Sequence, residues 1–311
     1  MAWTATRRTL GATAALGAAG LVWSAGVEVR WFALRRATVP VLPPGVGPLR
    51  VLHVSDLHLT PTQARKKAWL RSLAALEPDL VVSTGDNMAH VEAVPHVLEA
   101  YGDLLDVPGV FVFGSNDYFA PSLRNPVRYL LPDDGQRNTH APRLPVGDLR
   151  DGFEQAGWVD LTNRRSALEV GGVRIAFAGV DDPHLRYDDL AAVAGPADPD
   201  AHVRLGVTHA PYLRVLDQYT DDGYDLVLAG HTHGGQLCLP GVGALVTNCD
   251  IDTARVKGLH RHGDAWLHVS AGLGTSPYAP VRFCCRPEAT LLTLTSRTEP
   301  DADFMAANAV G

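Results

Sequence analysis

Apolar residues in this chain gather in short runs, each closed by polar or glycine-containing residues. Such runs recur at 50–55, 80–84, 109–113, 173–180, 203–208, 225–229, 266–270 and 289–295. Runs of this length, rich in Val and Leu and bounded by turn formers, read as buried strands. Between several of them the apolar positions repeat at helical spacing, which predicts helices over 63–76, 91–105, 149–156 and 212–219. Strands alternate with helices early and follow one another through short connections late. That order predicts an α/β domain with mixed sheets. No repeat occurs, and no low-complexity tract lies beyond the first 48 residues.

The N-terminus breaks the pattern. Arg7 and Arg8 precede an Ala/Gly-rich apolar run from Leu10 to Val27, and Arg30, Arg35 and Arg36 follow it. As a helix the run spans roughly 27 Å, close to a bilayer core. A twin arginine ahead of a weakly hydrophobic run resembles a Tat export signal. Ser24-Ala25-Gly26 is a poor cleavage site, so residues 1–36 are expected to be a membrane anchor or signal segment. The extracytoplasmic face is the expected side and the cytoplasmic face the alternative, since arginines flank both ends. Residues 37–48, rich in Pro and Gly, read as a linker. The main domain is then expected at 49–297 and a tail at 298–311. Residues 118–145 carry Arg124, Arg128, Arg137, Arg143 and His140 with little periodicity. Such a stretch is either a binding loop or a solvated excursion.

Composition narrows the function. Nearly half of the 311 residues are hydrophobic, so a globular core is expected. The net charge of −7 argues against a general nucleic-acid partner but leaves room for a local basic pocket. Four cysteines, Cys238, Cys249, Cys284 and Cys285, lack metal-ribbon spacing and read as mostly buried thiols.

The chemistry sits at the run ends. Asp56 and His58 follow the run at 50–55, and Gly85-Asp86-Asn87 follows the run at 80–84. Gly114-Ser115-Asn116-Asp117 follows the run at 109–113, and His209 closes the run at 203–208. His231 and His233 follow the run at 225–229 inside a GHTHGGQ stretch, 230–236. On an extended backbone residues i and i+2 point the same way, so His231 and His233 are expected to share a target. Any one of these is commonly a cap, a turn or a core histidine. Sites in α/β sheets gather beyond the carboxyl ends of strands, so five such ends are expected to converge.

In this order the motifs DLH (56–58), GDN (85–87), GSND (114–117), THAP (208–211) and GHTHGGQ resemble the calcineurin-like metallophosphoesterase family, over about residues 49–294. The similarity extends to a bacterial membrane-associated or Tat-exported phosphodiesterase-like branch, through SAGLG at 270–274 and RFCCRPE at 282–288. The resemblance implies two mostly mixed β-sheets packed as a sandwich flanked by helices, the αββα arrangement. It implies two divalent metals roughly 3.5 Å apart. Asp56, His58 and His233 would hold one, His209 and His231 the other, and Asp86 would bridge them. A set of oxygen and nitrogen donors without thiolate suits Mn, Fe or Zn. The implied activity is phosphoester hydrolysis, of a phosphodiester first, with a hydroxide held between the metals as nucleophile.

The third motif departs from the family's Gly-Asn-His-Asp or Gly-Asn-His-Glu. Asn116 is taken as the second-metal ligand, with Ser115 the alternative, and the usual histidine acid is missing. Asn116 and His209 are the expected catalytic contacts. His184 and His140 are the imidazoles that could replace the acid, and good leaving groups suffer least from its loss. Two other readings stay open: a phospholipid or lipid-linked phosphate hydrolase at the membrane, and a catalytically weak metal-binding scaffold.

Overall fold

The computed structural model describes residues 17–123, 137 and 139–297. Fourteen strands form: β1 (Ala33–Leu42), β2 (Leu49–Val54), β3 (Leu80–Ser83), β4 (Gly109–Phe111), β5 (Val159–Asp160), β6 (Arg164–Val170), β7 (Val173–Gly179), β8 (Val203–Val207), β9 (Leu226–Ala229), β10 (Cys238–Leu239), β11 (Gly243–Ala244), β12 (Gly258–His262), β13 (Ala265–Val269) and β14 (Glu288–Ser296). Twelve of them make two six-stranded sheets, ordered β1-β14-β2-β3-β4-β5 and β12-β13-β9-β8-β7-β6. The central strands β2, β3 and β4 run parallel in the first sheet, as do β7, β8, β9 and β13 in the second.

Period-two burial on both faces builds the layers. Val51, Val82 and Val110 of the first sheet meet Phe177, Leu205 and Leu228 of the second in the central core. The alternate positions Leu52, Val81 and Phe111 pack outward with Leu70, Val97 and Phe153 of the helices Ala64–Ser72, Val94–Tyr101 and Val146–Gln155. On the other side Ala178, Val227 and Leu267 pack with Val215, Leu216 and Tyr219 of the helix Leu213–Asp221. The result is the expected αββα sandwich. All eight apolar runs are strands and all four helical patterns are helices. Those at 63–76 and 91–105 end in 3-10 turns, Leu73–Leu76 and Gly102–Asp106.

The expected linker at 37–48 is a correction. Its first half belongs to β1, which pairs parallel with β14 from Ala33 opposite Glu288 to Leu42 opposite Ser296. Pro40 hid the strand. A proline donates no N–H and is tolerated on an edge strand, and the register shifts between Pro40 and Leu42. The domain therefore begins before Leu49.

The apolar run from Leu10 to Val27 lies partly outside the described residues. Residues 17–22 are α-helical, continuing into a π turn at Trp23–Val27 and a 3-10 turn at Glu28–Arg30. Among the described residues no helix is long and apolar enough to cross a membrane. The segment is seated on the end of the domain. The Ser24 carbonyl accepts from Arg282 N at 3.1 Å, and buried Glu28 accepts from Cys285 N at 2.6 Å and from Trp23 Nε1 at 2.8 Å. No disulfide forms among the described residues; Cys238 and Cys285 are buried, but Cys284 is exposed. The tail at 298–311 lies outside the described residues, as do Arg124 and Arg128.

Candidate metal centre

The carboxyl ends of β2, β3, β4, β8 and β9 meet at one edge of the sandwich. The loops after β2 and β3 run side by side: Asp56 N donates to Gly85 O, His58 N to Asp86 O and Leu59 N to Asn87 O, each at 2.9 Å. Across the sandwich, His231 N donates to the Asp56 carboxylate at 3.0 Å. Gly114 and Gly230 allow this closeness. A Cβ at Gly114 would lie 2.4 Å from Asp86 Oδ1 and 2.6 Å from His209 Nε2, and one at Gly230 1.9 Å from Ser55 Oγ.

Two triads of donors result. Asp56, His58 and His233 form one, and Asp56, Asp86 and His209 the other; within each, ligand atoms lie inside 4.8 Å of one another. The Asp86 carboxylate reaches both ways, with Oδ2 3.4 Å from His58 Nε2 and Oδ1 3.5 Å from His209 Nε2. His58 Nε2 faces His233 Nε2 at 3.2 Å, and His231 Nδ1 faces His209 Nε2 at 3.3 Å.

Backbone strain marks the same residues. Asp56, His58, Asp86, His231 and His233 all have left-handed φ, between 42° and 69°. Non-glycine residues in that region cost energy and gather where function fixes them. The extended-backbone argument for His231 and His233 therefore does not hold. Thr232 between them is helical, at φ −70° and ψ −17°, and the two imidazoles have different neighbours.

The two candidates of the third motif make different contacts. Asn116 donates from N and from Nδ2 to the Asp86 carboxylate, both at 2.7 Å. Ser115 Oγ turns to buried Asp182 at 2.5 Å. Of the two spare histidines, His184 lies at the centre, its ring centroid 4.4 Å from that of His231. His140 is exposed. From the long loop, Arg137 donates from Nη2 to Tyr212 Oη at 2.9 Å and from Nε to the His184 carbonyl, while Arg143 stacks on Phe119.

Several supporting groups gave no signal of role in the sequence. Asp117 is fully buried, and its carboxylate accepts from the backbone N–H of Asp86, Asn87 and Gly114 at 2.8–3.0 Å. Thr84 O accepts from His209 Nδ1 at 2.7 Å, which fixes that tautomer with Nε2 facing the centre. Thr84 Oγ1 meets His53, whose other ring nitrogen faces His268 at 2.8 Å across the sandwich. Arg282 is fully buried and its guanidinium ties three loops. Nη2 donates to the carbonyls of Ala271, Gly272 and Gly274, and Nη1 to those of His233 and Cys285. In the sequence Arg282 stands out only as part of the family-like stretch at 282–288.

The donor set fits divalent cations. Burial holds His58 and His231 down to about 4 and His233 well below its ordinary value, so their lone pairs are free. Burial lifts Asp56 to about 6, and burial with the Asp86 charge nearby lifts Asp117 to about 7. Burial opposes charge on His209 too, but Asp86, Asp182 and Asp56 overcome it and raise it to about 9. Buried carboxylates beside three neutral imidazoles draw positive charge, here onto His209, whose proton a divalent cation would displace. Mn²⁺ at about 100 times its Kd is expected to stabilise the fold by about 2.7 kcal/mol, read as a rise in Tm. No rise with Mn²⁺, Fe²⁺ or Zn²⁺ would remove the centre.

Residues 49–235 match the family described as calcineurin-like phosphoesterase. Phosphodiesterase YaeI of Escherichia coli is 29% identical over 300 residues, covering 93% of this chain and 98% of that protein. The uncharacterized metallophosphoesterase YkoQ of Bacillus subtilis is 28% identical over 247 residues, covering 78% and 82%.

Proposed function

Because the chain belongs to the calcineurin-like phosphoesterase family and is a phosphoric ester hydrolase, we propose that it cleaves phosphodiesters at a dinuclear centre. Asp56, His58 and His233 would hold one cation and His209, His231 and Asn116 the other, with Asp86 shared between them. The observation that carries this reading is the Asp86 carboxylate, with one oxygen toward His58 and the other toward His209. The name of the YaeI relative points to the same ester class.

Bound there, two divalent cations would lower the pKa of a water and neutralise charge on the phosphoryl oxygens. The chain's own residues supply geometry and a fixed field. Thr84 O orients His209, and the Asp117 carboxylate holds the backbone of Asp86 and Gly114. Asn116 spans the Asp86 carboxylate, and rotation of its amide exchanges the nitrogen there for a donor oxygen. An amide side chain delivers no proton at useful pH, so the scheme favours esters whose leaving group departs unprotonated.

Asn116→Ala is expected to weaken binding of the second metal by about 10- to 100-fold, with Ser115→Ala near wild type. Metal titration by calorimetry reads both. A larger loss in Ser115→Ala than in Asn116→Ala would return the ligand role to Ser115. Two metals bound with no turnover on mono- or diesters would favour the scaffold reading instead.

A further inference from the structure

A groove of about 450 Å³ shares a wall with the metal centre. Gly274 lines it, and the Gly274 carbonyl accepts from His233 Nδ1 at 3.1 Å. Lys66 lines it too, and Lys66 Nζ donates at 2.6 Å to the carbonyl of Leu57, between Asp56 and His58. The lining is of two kinds. Val29, Phe32, Leu273 and Pro280 are apolar; Arg30 and Arg65 are cationic; Lys66 is buried, its ammonium pKa lowered to about 7 by burial and the nearby Arg282 charge; no carboxylate lines the groove. In a chain of net charge −7 that is a local reversal of sign.

The groove's outer rim is apolar and exposed. Trp31, between the lining residues Arg30 and Phe32, is 47% exposed, and Trp23 meets it edge-on at 6.0 Å. Leu21, Val22 and Val27 on the same seated helix are exposed, as is Tyr278 beside the lining residue Pro277. Patches of this kind mark interaction surfaces. Tryptophans beside an arginine, as at Trp23, Arg30 and Trp31, are residue types of the membrane–water interface.

We propose that the groove holds the apolar tail of an anionic amphiphile drawn from a membrane, with the Leu21–Trp31 collar resting on that membrane. The tail lies along Phe32, Leu273 and Pro280. Arg30 and Arg65 favour the anionic head near the wall shared with His233. That this lipid is a substrate rests on the phosphodiesterase reading; occupancy of the groove does not.

Two metal-free measurements on the full chain test the site. Octyl phosphate is expected to bind at least about tenfold more tightly than ethyl phosphate by calorimetry, from burial of its extra methylenes. Ala64→Trp and Thr62→Trp, at exposed lining positions, are expected to erase that difference. Phosphatidylcholine vesicles with phosphatidylglycerol should co-sediment the protein, and the Trp23→Ser/Trp31→Ser double variant should lose most of this. Equal binding of the two phosphates would mean a plain anion site and overturn the proposal, as would indifference to the filling variants. So would a benzophenone at position 62 that captures residues 1–16 in place of lipid. With Mn²⁺, kcat/KM on alkyl p-nitrophenyl phosphates should rise about tenfold from ethyl to octyl, flattening in Ala64→Trp. No turnover of even the ethyl ester sinks the phosphodiesterase reading, while the binding measurements judge the groove separately.

Discussion

Asp86→Ala is expected to reduce turnover of a bis-aryl phosphodiester by about a thousandfold or more and to lower the metal content of the chain. The size follows from what one carboxylate does here. It lies within 3.5 Å of imidazoles from both halves of the centre and accepts two hydrogen bonds from Asn116. On the proposed dinuclear reading its loss removes a shared ligand, and several kcal/mol of charge stabilisation go with it. The loop should stay in place, because the Asp117 carboxylate grips the backbone N–H of residue 86 at 2.8 Å. Residue 86 has φ 55°, a conformation that alanine resists. Asp86→Asn separates the two effects, since asparagine tolerates that backbone and lacks the charge. Both variants should be folded and inactive. Turnover unchanged in metal-replete buffer would sink the assignment.

Arg282→Met is expected to destabilise the fold by about 3–5 kcal/mol, the range for breaking a buried charged network. For a domain of this size that is a fall in Tm of about 10 °C. The fully buried guanidinium donates to five carbonyls, which the variant leaves without donors in the interior. Its Nε finds no partner among the described groups, so the fork of Nη1 and Nη2 carries the whole arrangement. Arg282→Lys keeps a cation but not the fork, and should recover only part of the loss. Metal affinity should fall with stability, because Nη1 also meets the carbonyl of His233. Thermal melts of the three proteins decide it; three coincident curves would mean that the carbonyls find other donors.

Much of this was legible in the residues. β2, β3, β8 and β9 announce themselves because both faces of a central parallel strand are buried, which makes the run continuously apolar. β1 does not, because Pro40 mimics a linker. β6 does not either, because half of Arg164–Val170 faces solvent and its pattern reads as polar. The seven ligand-type residues carry donor atoms that chemistry recognises, and all seven meet at one edge. Asp117, Thr84 and Arg282 act through backbone N–H and C=O groups, which every residue has, so no side-chain spacing points to their partners. His184 lies in between. It was visible as a spare imidazole, but only the fold sets it against His231.

The pairing of β1 with β14 ties the order of synthesis to the order of folding. Residues 33–42 leave the ribosome some 250 residues before their only partner strand, a delay on the order of tens of seconds. The seat for the Trp23–Arg30 turns, at Arg282 and Cys285, is also made last. Throughout that interval β1 has no strand to pair with among the described residues. The first strand made is thus the last to dock, and a chain truncated at either end loses the same edge of the sandwich.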